Sequence, residues 1–173
     1  MDFFDVLANR HSVRSFESEP IKDEQLEKIL EAANSAPSAG NLQAYDIVLV
    51  TKQDAKDALS SAAFGQSFIS EAQVVLVFLA NPKRSSSRYG ARGAALYSIQ
   101  DATIACAYAQ LAAAALGLGS VWVGAFEPEA VKKAVGASDS LPVAILPIGK
   151  PAEKPYESSR RKISDLAHEN HFK

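Results

Sequence analysis

The stretch Arg10-His11-Ser12-Val13-Arg14 holds the densest set of groups able to bind an anion. In an extended strand, side chains alternate between two faces, so Arg10, Ser12 and Arg14 share one face and Val13 takes the other. Two guanidiniums and a hydroxyl on one face form a receptor for a phosphate or a similar anion. A second cluster, Pro37-Ser38-Ala39-Gly40-Asn41-Leu42-Gln43, reads as a turn that presents a hydroxyl, amides and a pliable backbone. The third, Gly117-Leu118-Gly119-Ser120-Val121-Trp122-Val123-Gly124-Ala125-Phe126, has glycines that let a ligand approach main-chain N–H groups. A fourth, Arg160-Arg161-Lys162, lies in the tail. Taken singly, each has a plain explanation as a solvated charge, a turn or a helix cap.

Other designs are excluded by spacing. The glycines at 117, 119 and 124 follow a helix pattern with the wrong interval for a dinucleotide fingerprint. No glycine is followed by Lys-Ser or Lys-Thr, so there is no phosphate-binding P-loop, and no serine sits in a nucleophile elbow. His168 and His171 lack a third ligand nearby, so no metal site is expected. Cys106 stands among alanines in a helix and reads as a small core residue. No catalytic side chain is evident, and that poverty points to a bound cofactor as carrier of the chemistry.

The elements that must position these clusters follow from periodicity. Phe3, Phe4, Val6 and Leu7 suggest a short first helix over residues 2–9. Leu26, Ile29, Leu30 and Ala33, preceded by Asp23, mark a second that ends near Asn34. Ile47–Val50, Val74–Leu79, Val121–Val123 and Val143–Ile148 read as strands, Val74–Leu79 being apolar on both faces and therefore central. Lys52–Ala63 reads as a polar helix, and another begins near Pro128. Lys83–Gly93, with three serines, three arginines and two glycines, reads as a loop or lid. Ala102–Leu118 is an alanine-rich helix, buried and close-packed, with a further role as a subunit interface. Helices and strands are mixed without strict alternation, so the class is α+β.

The whole chain, 173 residues and 47% hydrophobic, is the size of a single domain with a sizeable core. Its 18 basic and 20 acidic residues leave a net charge of −2, which argues against coating nucleic acid or an anionic membrane. One cysteine and a start without the basic and apolar regions of a leader give an expected cytoplasmic location.

In this order the four clusters resemble the nitroreductase family of FMN-dependent oxidoreductases, from Phe4 to about Leu166. The resemblance implies an α+β fold with a central mixed sheet surrounded by helices, in an intertwined homodimer with FMN sites at the subunit interface. It implies residues 1–173 as one domain, with 151–173 an extension that wraps the partner. Arg10 and Ser12 match positions that hold the FMN phosphate, and Arg161 matches a tail arginine that does the same; Arg160 beside it leaves open which of the two meets the phosphate. His11 corresponds to a position near the ribityl chain and Arg14 to a basic position at the flavin's pyrimidine edge. Pro37, Ser38, Ala39, Gly40 and Asn41 match the turn supplied by the other subunit. Gln66 matches a polar contact to the flavin edge, and Gly124 and Ala125 a strand end that approaches N5. The implied activity is reduction of nitroaromatic, quinone or related small-molecule acceptors by NAD(P)H in two-electron, ping-pong steps. A dehydrogenase or flavin-remodelling enzyme with a dedicated metabolite, and a flavin-binding protein without significant turnover, remain the alternatives.

Overall fold

The computed structural model describes residues 2–154, 156 and 158–172. Helix α1 (Phe3–Asn9) starts where the sequence predicts because Asp2 and Asp5 cap one another, each carboxylate accepting the other's main-chain N–H at 2.9 and 3.2 Å. Helix α2 (Asp23–Asn34) buries Ile29 and Ala33, one turn apart, against the sheet, with Asp23 and Glu24 favourably placed in its first turn. The remaining elements are β1 (Tyr45–Val50), α3 (Gln53–Ala62), α4 (Phe68–Glu71), β2 (Val74–Ala80), α5 (Pro82–Arg92), α6 (Ser98–Ala115), β3 (Gly119–Ser120), α7 (Pro128–Val135) and β4 (Leu141–Gly149).

The four strands lie in the order β1-β2-β4-β3, each antiparallel to its neighbours. Among the described residues the parallel component is a single bridge from Ser12 to Ser120 at the β3 edge. Strand β2 is buried along its whole length because helices cover both faces. Val74, Leu76 and Phe78 face the α2–α6 layer with Ile29, Ala105, Ala109 and Leu146. Val75, Val77 and Leu79 face the opposite layer, where Leu59, Ile69 and Val131 of α3, α4 and α7 pack. The period of two in the strand therefore feeds two separate cores.

Helix α6 runs through the first of these layers. Its buried face is Ala102, Ala105, Cys106, Ala109 and Ala113, small enough to bring the helix close to the sheet. Burial pushes the Cys106 thiol up, as suits a core residue and not a nucleophile. Among the described residues no helix is long and apolar enough to cross a membrane.

Two expectations need correction. Lys83–Gly93 is not a loop: Pro82–Arg92 forms α5 and Gly93–Tyr97 a π-helical turn that leads into α6, which begins at Ser98. Asn81 caps α5 by accepting from Arg84 N at 3.0 Å, with Pro82 at the first helical position. The serines that suggested a loop turn inward on their own helix, Ser86 to the Lys83 carbonyl and Ser87 to that of Arg84. Nor does Val121–Val123 form a strand; β3 stops at Ser120, and Val123 returns only as an isolated bridge to Ile145. In the register that pairs Ser120 with Ile148 and Val123 with Ile145, Val121 stands opposite Pro147. Proline has no N–H to give, so the ladder breaks there.

Candidate active site

The basic segment leaves α1 at Arg10 and runs along the β3 edge. Val13 N donates to Ser120 O at 3.0 Å, and Ser12 bridges Ser120. Val13 is buried while Ser12 and Arg14 on either side are exposed, which is the alternation an extended strand requires. Further on, Glu17 N donates to Lys150 O and Ala152 N to Ser15 O, so the segment is sewn to the start of the tail. Arg14 N donates to the Glu153 carboxylate. His11 is half-buried, its Nδ1 3.0 Å from the Tyr156 carbonyl.

A pocket of about 460 Å³ opens beside this segment, lined by Asn9, Arg10, His11, Ser158 and Arg160. The ion pairs among the described residues all join lysines to carboxylates, and none engages Arg10, Arg14 or Arg160. The lining supplies cations, hydroxyl and amide groups with no carboxylate, a donor set that fits a phosphate. Of the two tail arginines, Arg160 is the one in this wall. Its Nη1 donates to Ser158 Oγ at 2.6 Å, whereas Arg161 donates to the Asp165 carbonyl.

The Pro37–Gln43 turn lies elsewhere in the chain. Gly40, Asn41 and Gln43 have φ of 56°, 56° and 46°, left-handed values that non-glycine residues adopt only under constraint, with Leu42 between the last two at −78°. The constraints are visible. Ser38 Oγ accepts from Gln43 N at 2.9 Å, and the Gln43 amide donates to Asn41 Oδ1 at 2.7 Å. From α5, Arg84 donates to the Leu42 carbonyl and Arg88 to that of Gly40 at 3.4 Å. From α6, the buried Asp101 carboxylate accepts from Ala39 N and Ala44 N. Pro37, Ser38 and Ala39 line a pocket of about 510 Å³ together with Tyr97, Gln100 and Asp101.

A third group joins Gln66 to the end of the broken strand: its amide donates to the carbonyls of Ala63 at 2.9 Å and Ala125 at 3.2 Å. Gly124 and Ala125 are exposed. A Cβ on Gly124 would stand 3.4 Å from Trp122 Nε1. Within one chain, then, Arg10, His11 and Arg160 come together, as do Gln66 and Ala125, while the Ser38 turn faces a different pocket. Sequence reasoning missed Asp101, Glu153, Arg84 and Arg88. A buried acid in an alanine helix was the one available signal; the arginines were hidden by reading α5 as a loop.

The model of the "Nitroreductase family" matches residues 7–73 and 60–150. The chain belongs to the nitroreductase family. A relative from Thermus thermophilus, named NADH dehydrogenase, is 33% identical over 92% of each chain. One from Bacillus subtilis, named FMN reductase [NAD(P)H], is 31% identical over 96% of this chain and 72% of its own. Among solved structures, the NADPH:FMN oxidoreductase from Vibrio harveyi complexed with NAD+ superposes with a TM-score of 0.90 at 26% identity, over 99% of this chain and 78% of that one. The nitroreductase fold thus accounts for the α+β arrangement described above.

Proposed function

We propose that this chain is an FMN-dependent NAD(P)H oxidoreductase working as a homodimer, each site formed by the basic segment and tail of one protomer and the Pro37–Gln43 turn of the other. The observation that carries the reading is the carboxylate-free wall of Arg10, His11 and Arg160, in a member of a family with relatives named as flavin and nitro reductases. When bound, FMN supplies the redox chemistry, taking two electrons from the nicotinamide nucleotide and giving them to an acceptor.

The chain's own residues bind and orient. Arg10, Ser12 and Arg160 hold the phosphate, with Arg161 next to them, and His11 flanks the ribityl chain. Arg14, its main chain fixed by Glu153, offers a cation to negative charge that gathers at the pyrimidine edge. Gln66 steadies the Ala125 carbonyl, so that the Gly124–Ala125 main chain would be held in place toward the flavin ring. Ser38, Ala39 and Asn41 of the partner's turn, framed by Pro37 and Gly40, close the site and exclude water. The acceptor is a small nitroaromatic or quinone-like molecule.

The dimer is supported by apolar surface that is exposed among the described residues. Phe3, Phe4 and Leu7 are 62%, 76% and 45% exposed, next to an apolar groove between α1 and α6. In the tail Ile163, Leu166 and Phe172 are 76%, 53% and 90% exposed. Surface of this kind marks an interface, and a tail from Pro151 wrapped on the partner would bury it, leaving residues 1–173 as one domain.

The test is direct. The purified protein, reconstituted if needed, should release FMN and not FAD, sediment as a dimer, and lose its flavin absorbance on anaerobic addition of NADH or NADPH. FMN that binds but is reduced by neither nucleotide would overturn the enzyme reading in favour of a flavin carrier.

A further inference from the structure

We propose that Asp101 is the positioning residue of the flavin site: its buried carboxylate sets the Pro37–Gln43 turn in the shape that meets the cofactor. This rests on the reading of that turn as the partner-supplied flavin contact. Asp101 sits one turn into α6 and is 2% exposed. A carboxylate so placed is costly unless paired or fully hydrogen-bonded. No cation pairs with it among the described residues. Its compensation comes from the backbone of the turn: Oδ1 accepts from Ala39 N at 2.9 Å and Oδ2 from Ala44 N at 3.3 Å.

Those two amides bracket the left-handed stretch of Gly40, Asn41 and Gln43. One side chain thereby ties both ends of the strained segment to a helix packed in the core. Only a carboxylate offers an acceptor on each oxygen. An asparagine would satisfy one N–H and turn its own amide hydrogens against the other. An alanine or leucine there would leave both amides without an acceptor, so the buried carboxylate ties the shape of the turn to α6. Asp101 also forms part of the wall of the pocket that Ser38 and Ala39 line, where it steadies the turn without reaching past it.

The experiment compares the wild type with Asp101→Asn, Asp101→Glu and Val131→Ala, the last a core truncation on the opposite face of the sheet. In flavin-free protein, Asp101→Asn should speed amide hydrogen exchange at Ala39 and Ala44 and leave the β2 amides unchanged. Its affinity for FMN should fall about tenfold to a hundredfold, the range for hydrogen bonds to a charged acceptor. At saturating FMN the visible circular dichroism of the bound flavin should differ from wild type. Asp101→Glu, which keeps two acceptor oxygens, should recover part of both, and it carries the same comparison if Asp101→Asn does not fold. Val131→Ala should lower the unfolding temperature and leave FMN affinity alone. Unchanged exchange at Ala39 and Ala44, or wild-type FMN affinity in a variant with loosened exchange, would overturn the inference. So would an equal loss of affinity in Val131→Ala. Failure of the wild type to bind FMN would instead overturn the reading on which it rests.

Discussion

Replacing Gly119 by alanine is the sharpest single probe of how the basic segment is held. A Cβ at residue 119 would stand 2.8 Å from Val13 Cβ and Cγ1 and 2.9 Å from Cγ2, where non-bonded carbons prefer about 3.5–4.0 Å. Val13 has little room to yield: it is 6% exposed, β-branched and stiff at χ1, and its N–H is bound to Ser120 O at 3.0 Å. Relief must come from the main chain of residues 12–14 moving off the sheet edge, carrying Ser12 and Arg14 with it. Overpacking of this kind costs about 1–3 kcal/mol. At this chain length each kcal/mol lowers the unfolding temperature by roughly 2–4 °C, so the expected fall is on the order of 2–12 °C. FMN affinity should fall with it. Val13→Ala alone removes two methyl groups, at a cost of about 1.5 kcal/mol. In the double variant the new Cβ fills part of that space, so the two changes should be less damaging together than their sum by about 1–2 kcal/mol. Urea and thermal unfolding of the four proteins measures this. A Gly119→Ala protein within about 0.5 kcal/mol of wild type, or strict additivity in the double variant, would refute the close-packing argument.

Arg160→Ala should weaken FMN binding about tenfold, the lower end for a charge-assisted bond because Arg160 is exposed, and Arg161→Ala by less, as read by quenching of flavin fluorescence. An equal loss in both would show that the pair acts as a diffuse basic patch. Lys150 lies 2.9 Å from Glu17 and 2.7 Å from Glu19, and its hydrogen bond holds the Glu19 carboxyl below its usual value while that bond pushes Lys150 up. The Glu19 contribution is present above the ordinary Glu pKa of about 4.3 and is lost as pH falls through the lowered native value. That of Lys150 is present below about 10.4 and is lost as pH rises through the raised one. Lys150→Met should therefore lower the unfolding midpoint at neutral pH by an amount that shrinks in acid, at high pH and in concentrated salt; a gap independent of pH would exclude the ion pairs as its cause.

Local rules sufficed where one signal acted alone. The bounds of α2 followed from its apolar stripe and acidic first turn, and the centrality of β2 from a run with no polar face. They failed where composition and geometry pulled apart. In α5, serines that favour turns in isolation bond back to their own helix, and Asn81 with Pro82 outweighs them. At Val121 a β-branched run meets Pro147 in the partner strand, a long-range pairing that no local window contains. The alternation of the segment 10–14, Val13 inward and Ser12 and Arg14 outward, was legible because it follows from the backbone alone. Asp101 was not, because its partners are main-chain amides some sixty positions away that carry no mark in the sequence. That Arg160 and not Arg161 lines the pocket follows from the path of the tail, which likewise depends on tertiary contacts.

The most direct test of the two-chain site uses mixed dimers. One chain carries Arg10→Ala with Arg160→Ala, the other carries Gly40→Ala, in which the new Cβ would lie 2.5 Å from Tyr89 Oη at a φ of 56°. Each homodimer should bind FMN weakly at both sites. A co-expressed heterodimer, isolated by two different tags, should regain one site of wild-type affinity, because the intact basic wall of one chain meets the intact turn of the other, while its second site combines both defects. Equilibrium titration should then give about half of the wild-type stoichiometry at high affinity. A heterodimer with no high-affinity FMN would contradict the account, since it would mean that wall and turn serve the same flavin from within one chain.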